Sequence, residues 1–176
     1  MPATETPQLL RPAADVSGPL FVGIDLGGTN IKVALVDNSG QLVAFHTEPT
    51  NVAHGPDNAA IRMGQSVGLL AGCVGRDRSG ISAVGLGTPG PQDLSTGILL
   101  KPGNFPGWEN FPIRERVSEH CGHTVTYAND ATAAAYGEFW VGSGRDDSSL
   151  VLLTLGTGVG GGIIIHDMTI EGAHSH

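Results

Sequence analysis

The stretch Phe21-Val22-Gly23-Ile24-Asp25-Leu26-Gly27-Gly28-Thr29-Asn30-Ile31-Lys32 decides the fold of this chain. Its apolar start, which ends at Asp25, predicts a buried strand, and the alternation from Ile31 onward predicts a second strand. The Gly27-Gly28 turn between them would let a phosphate approach the backbone N–H groups closely. Because two anions repel each other, Asp25 would meet that phosphate through a hydrated Mg²⁺ ion. An ordinary hairpin, in which the glycines supply only a positive φ, explains the stretch equally well.

Composition and charge restrict the classes of protein to which the chain can belong. Its 176 residues are 40% hydrophobic and 15% charged, which indicates a globular domain with a substantial core. The formal net charge is −8 and the basic residues are scattered, so we expect no nucleic-acid partner. Lys32, one of only two lysines, lies beside the glycine turn. Two unmatched cysteines, with no signal segment or long apolar span, favour a cytoplasmic protein without a membrane partner.

The order of the apolar segments predicts three parts. Residues 1–19 contain four prolines and no periodicity, so we expect a flexible tail. Residues 20–145 are expected to form a complete α/β lobe, and residues 146–176 to begin a second lobe. The predicted strands lie at 20–26, 31–37, 41–47, 81–87 and 124–128, and the predicted helices at 57–74, 112–121 and 131–141.

Two features of the first lobe go beyond its secondary structure. Gly64 and two further glycines at four-residue spacing predict that the first helix approaches the sheet closely. The segment from Pro89 to Pro112 is a long loop whose aromatic residues argue against disorder. Such loops are usually functional, so Asn104 and Glu109 are candidates for binding hydroxyl groups. Taken singly, each is more often a solvated loop residue.

The opening arrangement recurs near the end of the chain. The apolar segments Ser149 to Leu155 and Ile163 to His166 flank a turn that contains Gly156, Thr157 and Gly158. Two such hairpins, with a complete α/β unit between them, suggest two lobes that close on one nucleotide. Since an apolar two-stranded hairpin is not a stable domain by itself, we expect the chain to be truncated within its second lobe.

Asn129-Asp130 lies where a predicted strand ends and a predicted helix begins. Both residue types are preferred at helix N-termini, so the pair taken by itself favours a helix cap. The functional alternative is a general base at the carboxyl end of a strand, where open α/β sheets place their sites. An ionised aspartate can accept a hydroxyl proton during phosphoryl transfer.

A further glycine pattern, at Gly85, Gly87 and Gly90, matches the G-x-G-x-x-G of dinucleotide-binding folds. In those folds the pattern opens a helix, and an acidic residue follows about twenty residues later. Here the pattern leads into a loop. We therefore exclude a dinucleotide site, and the lack of a G-x-x-x-x-G-K-[ST] sequence likewise excludes a P-loop.

Five motifs follow one another along the chain. They are Asp25-Leu-Gly-Gly-Thr-Asn-Ile-Lys32, Gly85-Leu-Gly-Thr-Pro-Gly90, Asn104-Phe-Pro-Gly-Trp108, Asn129-Asp130-Ala-Thr-Ala-Ala-Ala-Tyr-Gly-Glu138 and Leu155-Gly-Thr-Gly-Val-Gly-Gly-Gly162. In this order they resemble the ROK family, whose members are bacterial glucokinases, other sugar kinases and sugar-responsive repressors. The resemblance implies an α/β, actin-like ATPase (ribonuclease H-like) fold with two lobes around a cleft.

The resemblance also implies roles for individual residues. The two glycine turns would hold the phosphates of ATP, with Asp25 near Mg²⁺ through a water molecule. The residues concerned are Gly27, Gly28, Thr29 and Lys32 in the first turn and Gly156, Thr157 and Gly158 in the second. Asn104, Asn129 and Asp130 would bind the sugar hydroxyls beside the candidate Glu109, and Asp130 would be the catalytic base.

The chain departs from the family pattern near its end. The family carries a Glu and a His that contact the sugar, and this His also binds zinc together with cysteines. His174 and His176 do not match that position, so we expect zinc ligands only in a longer protein. The full-length protein is expected to be a homodimer that phosphorylates a hexose with ATP and Mg²⁺, whereas the present chain alone would be inactive.

Glucose is the expected substrate, and fructose, mannose and N-acetylmannosamine are the alternatives. A ROK-type repressor would need a DNA-binding domain, and the segment before Phe21 is short and has one basic residue, Arg11. A chaperone-like or cytoskeletal ATPase would share the hairpins but not the Asn129-Asp130 pair facing a sugar loop. A sugar kinase therefore explains more of the sequence than either of these classes.

Overall fold

A computed structural model of the protein describes residues 6–156 and 158–172. The helices are α1 (Pro56–Cys73), α2 (Ile113–Cys121) and α3 (Asp130–Val141). The strands are β1 (Gln8–Leu9), β2 (Leu20–Leu26), β3 (Asn30–Asp37), β4 (Leu42–Pro49), β5 (Ile81–Thr88), β6 (Gln92–Asp93), β7 (Ile98–Leu99), β8 (Val125–Asn129), β9 (Ser149–Leu155), β10 (Val159–Ile165) and β11 (Met168–Thr169). Among the described residues, no helix combines the length and hydrophobicity that crossing a bilayer requires.

A six-stranded sheet in the order β1-β4-β3-β2-β5-β8 forms the centre of the first lobe. Strands β2, β3 and β4 pair antiparallel, whereas β5 and β8 extend the sheet in parallel from β2. Parallel neighbours need a long crossover connection, and α1 and α2 lie in these two connections. The predicted α/β class is therefore confirmed.

The hydrophobic core lies between one face of this sheet and the helices α1 and α2. Every second residue of β2 and β3 is buried, as the alternation predicted. The buried side chains of these strands are Leu20, Val22, Ile24, Leu26, Ile31, Val33 and Leu35. Phe105 and Trp108 of the long loop join the same core, with their ring centroids 4.9 Å apart. These two rings anchor the loop to the core of the lobe.

The opposite face of the sheet carries small residues. A Cβ atom added at Gly23 or at Gly85 would have no atom of another residue within 4 Å, apart from its chain neighbours. Because side chains alternate along a strand, this open face also carries Asp25 on β2 and Gly87 on β5. Helix α3 contacts β5 and β8, so the open face borders a cavity.

Part of the predicted flexible tail is paired with the sheet. Strand β1 pairs antiparallel with β4, and the Leu10 N–H donates to the Val43 carbonyl oxygen at 2.9 Å. Arg11 forms an ion pair with Asp37 at 2.5 Å. A two-residue strand leaves no periodic pattern in the sequence, which is why the prediction missed it.

Gly64 brings α1 close to α2 rather than to the sheet. A Cβ atom added at Gly64 would lie 2.5 Å from the Cβ atom and 2.6 Å from the carbonyl carbon of His120, in the last turn of α2. A Cβ atom at Gly72 would have no such neighbour within 4 Å. The predicted approach of this glycine row to the sheet is therefore wrong, because the close contact joins two helices.

The second unit is a three-stranded sheet in the order β11-β10-β9. Its glycines let it pack on α3, since a Cβ atom added at Gly162 would lie 2.5 Å from the Cβ atom of Ala135. Strand β10 begins at Val159, earlier than the predicted Ile163, because the intervening glycines pair with β9 without contributing apolar side chains. His166, predicted as its last residue, lies in the following turn with a φ of 47°.

Candidate active site

The first glycine turn connects β2 to β3. The Gly27 N–H donates to the Asn30 carbonyl oxygen at 2.9 Å, so this donor is used within the hairpin. The N–H groups of Gly28 and Thr29 have no acceptor in the described part of the chain, and both residues are exposed. Neither glycine has a positive φ, so the ordinary-hairpin explanation for the glycine pair is not supported. Two free donors at an exposed turn suit an anion.

Asp25 and Asp130 face one cavity of about 880 Å³ beside the open face of the sheet. Strand β2 delivers Asp25, and Asp130 begins α3 directly after β8. Gly87, on the intervening strand β5, lies opposite Asp25 in register. A Cβ atom added at Gly87 would lie 3.5 Å from the Cα atom of Asp130. The order of strands therefore brings together two carboxylates that are far apart in the sequence.

Burial and a like charge act on Asp25. Desolvation raises the pKa of Asp25 above its ordinary value of 3.8, Lys32 opposes that rise, and the charge of Asp130 adds to it. The Lys32 Nζ atom lies 3.7 Å from Oδ2 of Asp25, and both side chains are about half exposed, so this ion pair is weak. The cavity is lined by three acidic residues, Asp25, Asp130 and Glu171, against the single ammonium group of Lys32, so it favours a cation.

Asn129, rather than Asp130, caps helix α3. Its Oδ1 atom accepts hydrogen bonds from the N–H groups of Ala131 at 3.0 Å and Thr132 at 3.3 Å. Oδ1 of Asp130 accepts from the Ala131 N–H at 2.8 Å. The other carboxylate oxygen of Asp130 has no hydrogen-bond donor within the part of the chain that the structure describes. It remains available to a bound hydroxyl group, whereas Asn129 does not line the cavity.

The long loop brings Asn104 next to the first glycine turn. The Cβ atom of Asn104 lies 3.5 Å from the place that a Cβ atom on Gly28 would take. Trp108 fixes the loop, because its Nε1–H donates to the Val52 carbonyl oxygen at 3.1 Å. Glu109 is exposed, and neither it nor Asn104 lines the cavity. Asn104 therefore lies beside the glycine turn, whereas no described interaction links Glu109 to it.

The second glycine turn connects β9 to β10. The Gly156 N–H donates to the Gly158 carbonyl oxygen at 2.9 Å, and both glycines are exposed. Thr157 lies outside the described residues. The hairpin reaches the cavity through Thr154 on β9. The cavity is thus bordered by residues of both units.

Gly87 and Thr50 are site residues to which the sequence analysis assigned no role. Gly87 keeps the space between the two aspartates free of a side chain. In the sequence, this residue stood out only as part of the G-x-G-x-x-G match that we excluded as a dinucleotide site. Thr50 is fully buried behind the first turn and bonds to it. No local pattern identifies Thr50, because its partners come from a distant strand pair.

Comparison with known proteins identifies the family. The profile of the ROK family matches residues 21–176. This chain belongs to the ROK family. A glucokinase of Thermotoga maritima is 36% identical over 152 residues, which are 86% of this chain and 46% of that relative. An N-acetylmannosamine kinase of Haemophilus influenzae is 32% identical over 158 residues, or 86% of this chain and 48% of the relative.

Solved structures of ROK family proteins also resemble this chain. The structure of a ROK family glucokinase from Streptomyces griseus, in complex with glucose and AMPPNP, matches it with a TM-score of 0.76 and 32% identity. The match covers 89% of this chain and 47% of the other. The predicted actin-like ATPase fold is confirmed, and the homologues are sugar kinases. The chain spans about half the length of the curated relatives that it matches.

Proposed function

We propose that this ROK family protein transfers the γ-phosphoryl group of ATP to a hexose. Glucose is the preferred substrate and its 6-hydroxyl group the nucleophile. The observation that carries the proposal is the shared cavity of Asp25 and Asp130. Asp25 is the residue before the last one of β2, so it lies next to the exposed glycine turn, although the turn residues do not line the cavity. The names of the relatives support it, since the similar proteins include glucokinases and one of them was solved with glucose and AMPPNP. Because the reaction consumes ATP, we place the protein in the cytoplasm.

Asp130 acts as the general base in this proposal. Its unpaired carboxylate oxygen accepts the proton of the sugar hydroxyl while the hydroxyl oxygen bonds to the γ-phosphorus. The bond between the γ-phosphorus and the β–γ bridging oxygen breaks, and ADP leaves with that oxygen. Asn129 holds the start of α3 through its cap, which fixes the position of Asp130. Asn104 and Glu109 are proposed to bind further hydroxyl groups of the sugar.

The nucleotide phosphates are proposed to bind at the two glycine turns. In the first turn the free N–H groups of Gly28 and Thr29 are the donors, and Lys32 adds a positive charge. The exposed turn at Gly156 and Gly158 contributes from the second unit. In-line transfer depends mostly on such positioning and on charge stabilisation.

The residues of the cavity fit a hydrated Mg²⁺ ion. This metal is commonly held by one or two carboxylates, with water and substrate phosphates as the other ligands. Asp25 would hold it through water. Desolvation is the main reason that the pKa of Asp25 is raised, and the charge of Asp130 adds to it, so a cation beside Asp25 would offset both effects. When bound, Mg²⁺ neutralises charge on the phosphates. The described residues, 6–156 and 158–172, contain no cluster of three His, Cys, Asp or Glu side chains arranged as a metal site.

N-acetylmannosamine is the second candidate sugar. The Haemophilus influenzae N-acetylmannosamine kinase covers the same share of this chain as the Thermotoga maritima glucokinase, with 32% against 36% identity. The N-acetyl group is the chemical difference that the site must accept or reject. Glucose is preferred because the relatives of higher identity are glucokinases.

The test is a coupled assay of ADP release by the complete gene product that carries this chain. Glucose, fructose, mannose and N-acetylmannosamine are compared at equal concentrations, with ATP and Mg²⁺ present. We expect the largest kcat/KM for glucose and loss of turnover with Asp130→Asn. Turnover with N-acetylmannosamine alone would select the second candidate, and no sugar-dependent ADP release would refute the kinase proposal.

A further inference from the structure

Thr50 holds the first glycine turn from the side away from the solvent. Its Oγ1–H donates to the Gly27 carbonyl oxygen at 2.6 Å, and its N–H donates to the Thr29 carbonyl oxygen at 2.8 Å. Thr50 is fully buried, whereas Gly28 between those two carbonyl groups is exposed. One buried residue therefore fixes two peptide groups of the turn.

The orientation of the turn donors follows from peptide geometry. In a trans peptide the carbonyl oxygen and the next N–H point in opposite directions, and the described residues contain no cis peptide bond. Because the Gly27 carbonyl oxygen points to Thr50, the Gly28 N–H must point away from Thr50, toward the open side of the turn. The hydroxyl group of Thr50 thereby sets the direction of a donor that we assigned to the nucleotide phosphates.

Arg62 holds Thr50 from its other side. The guanidinium group of this α1 residue donates to the carbonyl oxygens of Thr50 at 2.5 Å and Pro49 at 2.8 Å, and to Oδ1 of Asn58 at 3.0 Å. It also pairs with the largely buried carboxylate of Glu48 at 2.9 Å. A buried charge with this many partners is held in one geometry. The backbone at Thr50 is thus fixed to α1.

We propose that Thr50 is a positioning residue for the ATP phosphates and acts through the Gly27–Thr29 turn, with Arg62 as its support. This inference rests on the proposed function, since it concerns the same turn. Removing the Thr50 hydroxyl frees the Gly27 carbonyl oxygen and lets the Gly28 N–H turn away from the phosphates. The side chains that we propose to bind the sugar are unchanged, so we expect the substitution to weaken the binding of ATP and not that of the sugar.

The test uses Thr50→Val in the complete gene product, with Thr50→Ser as the conservative variant. Valine keeps the shape and loses the hydroxyl group. The matched control is Thr47→Val, because Thr47 lies three residues earlier, on β4, and its hydroxyl donates at 3.4 Å to the Ile31 carbonyl oxygen and to no other acceptor among the described residues. We expect Thr50→Val to raise the KM for ATP about tenfold, the factor that corresponds to one lost hydrogen bond, while the KM for the sugar changes less than about twofold. Serine should retain the wild-type KM for ATP, and so should the control.

An unchanged KM for ATP in Thr50→Val would overturn the inference, and so would equal increases in both KM values. If Thr50→Val does not fold, Arg62→Lys provides the second variant, because lysine can keep the Glu48 ion pair but cannot bond both carbonyl groups in the same fork geometry. A wild-type KM for ATP in Arg62→Lys would then refute the inference. Failure of the proposed function looks different, because the wild-type protein itself would release no ADP with any hexose.

Discussion

Asp25 and Asp130 approach the same cavity from opposite sides of strand β5, and Gly87 of that strand lies between them. The charge of Asp130 contributes to raising the pKa of Asp25, so the two carboxylates interact electrostatically. We propose different roles for the two aspartates because their surroundings differ. Asp25 has Lys32 as its counter-ion, whereas Asp130 begins a helix that Asn129 already caps.

Asp130→Asn separates catalysis from capping. Because Asn129 provides the cap, this variant should keep the wild-type melting temperature and lower kcat by about 10² to 10⁴, the usual contribution of a general base. The comparison variant is Asn129→Ala, which should lose about 1 kcal/mol of stability with the cap. Thermal melts and initial rates of both variants check this. A kcat within about tenfold of wild type would mean that Asp130 is not the base.

Asp25→Asn should raise stability at neutral pH and abolish turnover. The pKa of Asp25 is raised in the folded protein, so between its unfolded and folded values the folded state binds more protons. The free energy of unfolding therefore falls as pH rises through that window, and ionised Asp25 is destabilising above it. The gain in melting temperature from asparagine is small, because the side chain is half exposed. It should shrink as the pH falls from 7 toward the ordinary pKa of 3.8.

Thermal melts without nucleotide or metal, over that pH range, measure the difference. If the gain in melting temperature of Asp25→Asn is the same at every pH, the charge of the carboxylate is not its cause. A lower melting temperature at neutral pH would mean that the Lys32 ion pair outweighs desolvation.

The sequence predicted the elements whose signals are local. Alternation of apolar residues set β2 and β3, and the Gly27-Gly28 pair set the turn between them. The strand-to-helix junction at Asn129-Asp130 was placed correctly for the same reason. Each of these patterns reflects a conformational preference of a few neighbouring residues, which the rest of the fold reinforces.

Interactions between distant segments could not be predicted in this way. Nothing near Gly64 reveals that its close neighbour is His120 of another helix. Thr50 bonds to the glycine turn only because β3 and β4 pair in one register. The burial of Arg62 likewise depends on the docking of α1 against the end of β4. Such contacts follow from the packing, so they needed the structure.

Gly28→Val and Gly158→Val distinguish the two glycine turns. A Cβ atom added at Gly28 would lie 3.5 Å from the Cβ atom of Asn104, so the larger side chain of valine should disturb both the turn and the long loop that carries Asn104. A Cβ atom at Gly158 has no neighbour within 4 Å beyond the turn itself. We therefore expect Gly28→Val to weaken the binding of both glucose and AMPPNP. Gly158→Val should weaken the binding of AMPPNP about tenfold and leave the affinity for glucose unchanged. Calorimetric titrations of each ligand decide this, and wild-type AMPPNP affinity in both variants would remove the phosphate role from the turns.

Tyr127→Phe should lower the free energy of unfolding at neutral pH. The difference from wild type should become smaller at alkaline pH. The buried hydroxyl lies 2.8 Å from Oγ1 of Thr88, which in turn lies 3.0 Å from Gln92, and burial raises the pKa of Tyr127 to about 12. Loss of this hydrogen bond costs about 1 kcal/mol. Above the ordinary pKa of 10.0 the unfolded state releases the proton first, so wild type loses stability and the difference narrows.

Urea midpoints at pH 8 and pH 11 test the narrowing. Tyr136→Phe is the control, because Tyr136 is exposed and its hydroxyl forms no hydrogen bond with the described residues. Its urea midpoint should match wild type at both values. A difference between Tyr127→Phe and wild type that is equal at pH 8 and pH 11 would contradict the buried, hydrogen-bonded tyrosine.

Gly64→Ala and Gly72→Ala form a matched pair within helix α1, with opposite expected signs. Alanine is the better helix former, so Gly72→Ala, which meets no atom within 4 Å, should stabilise the protein by about 0.5–1 kcal/mol. At Gly64 the new methyl group would lie 2.6 Å from the carbonyl carbon of His120, and only a separation of α1 from α2 relieves that overlap. We expect Gly64→Ala to destabilise by about 1–3 kcal/mol, as overpacking of a well-packed core does. Urea denaturation with equal m-values measures both changes, and stabilisation by Gly64→Ala would mean that the two helices are not in close contact at this point.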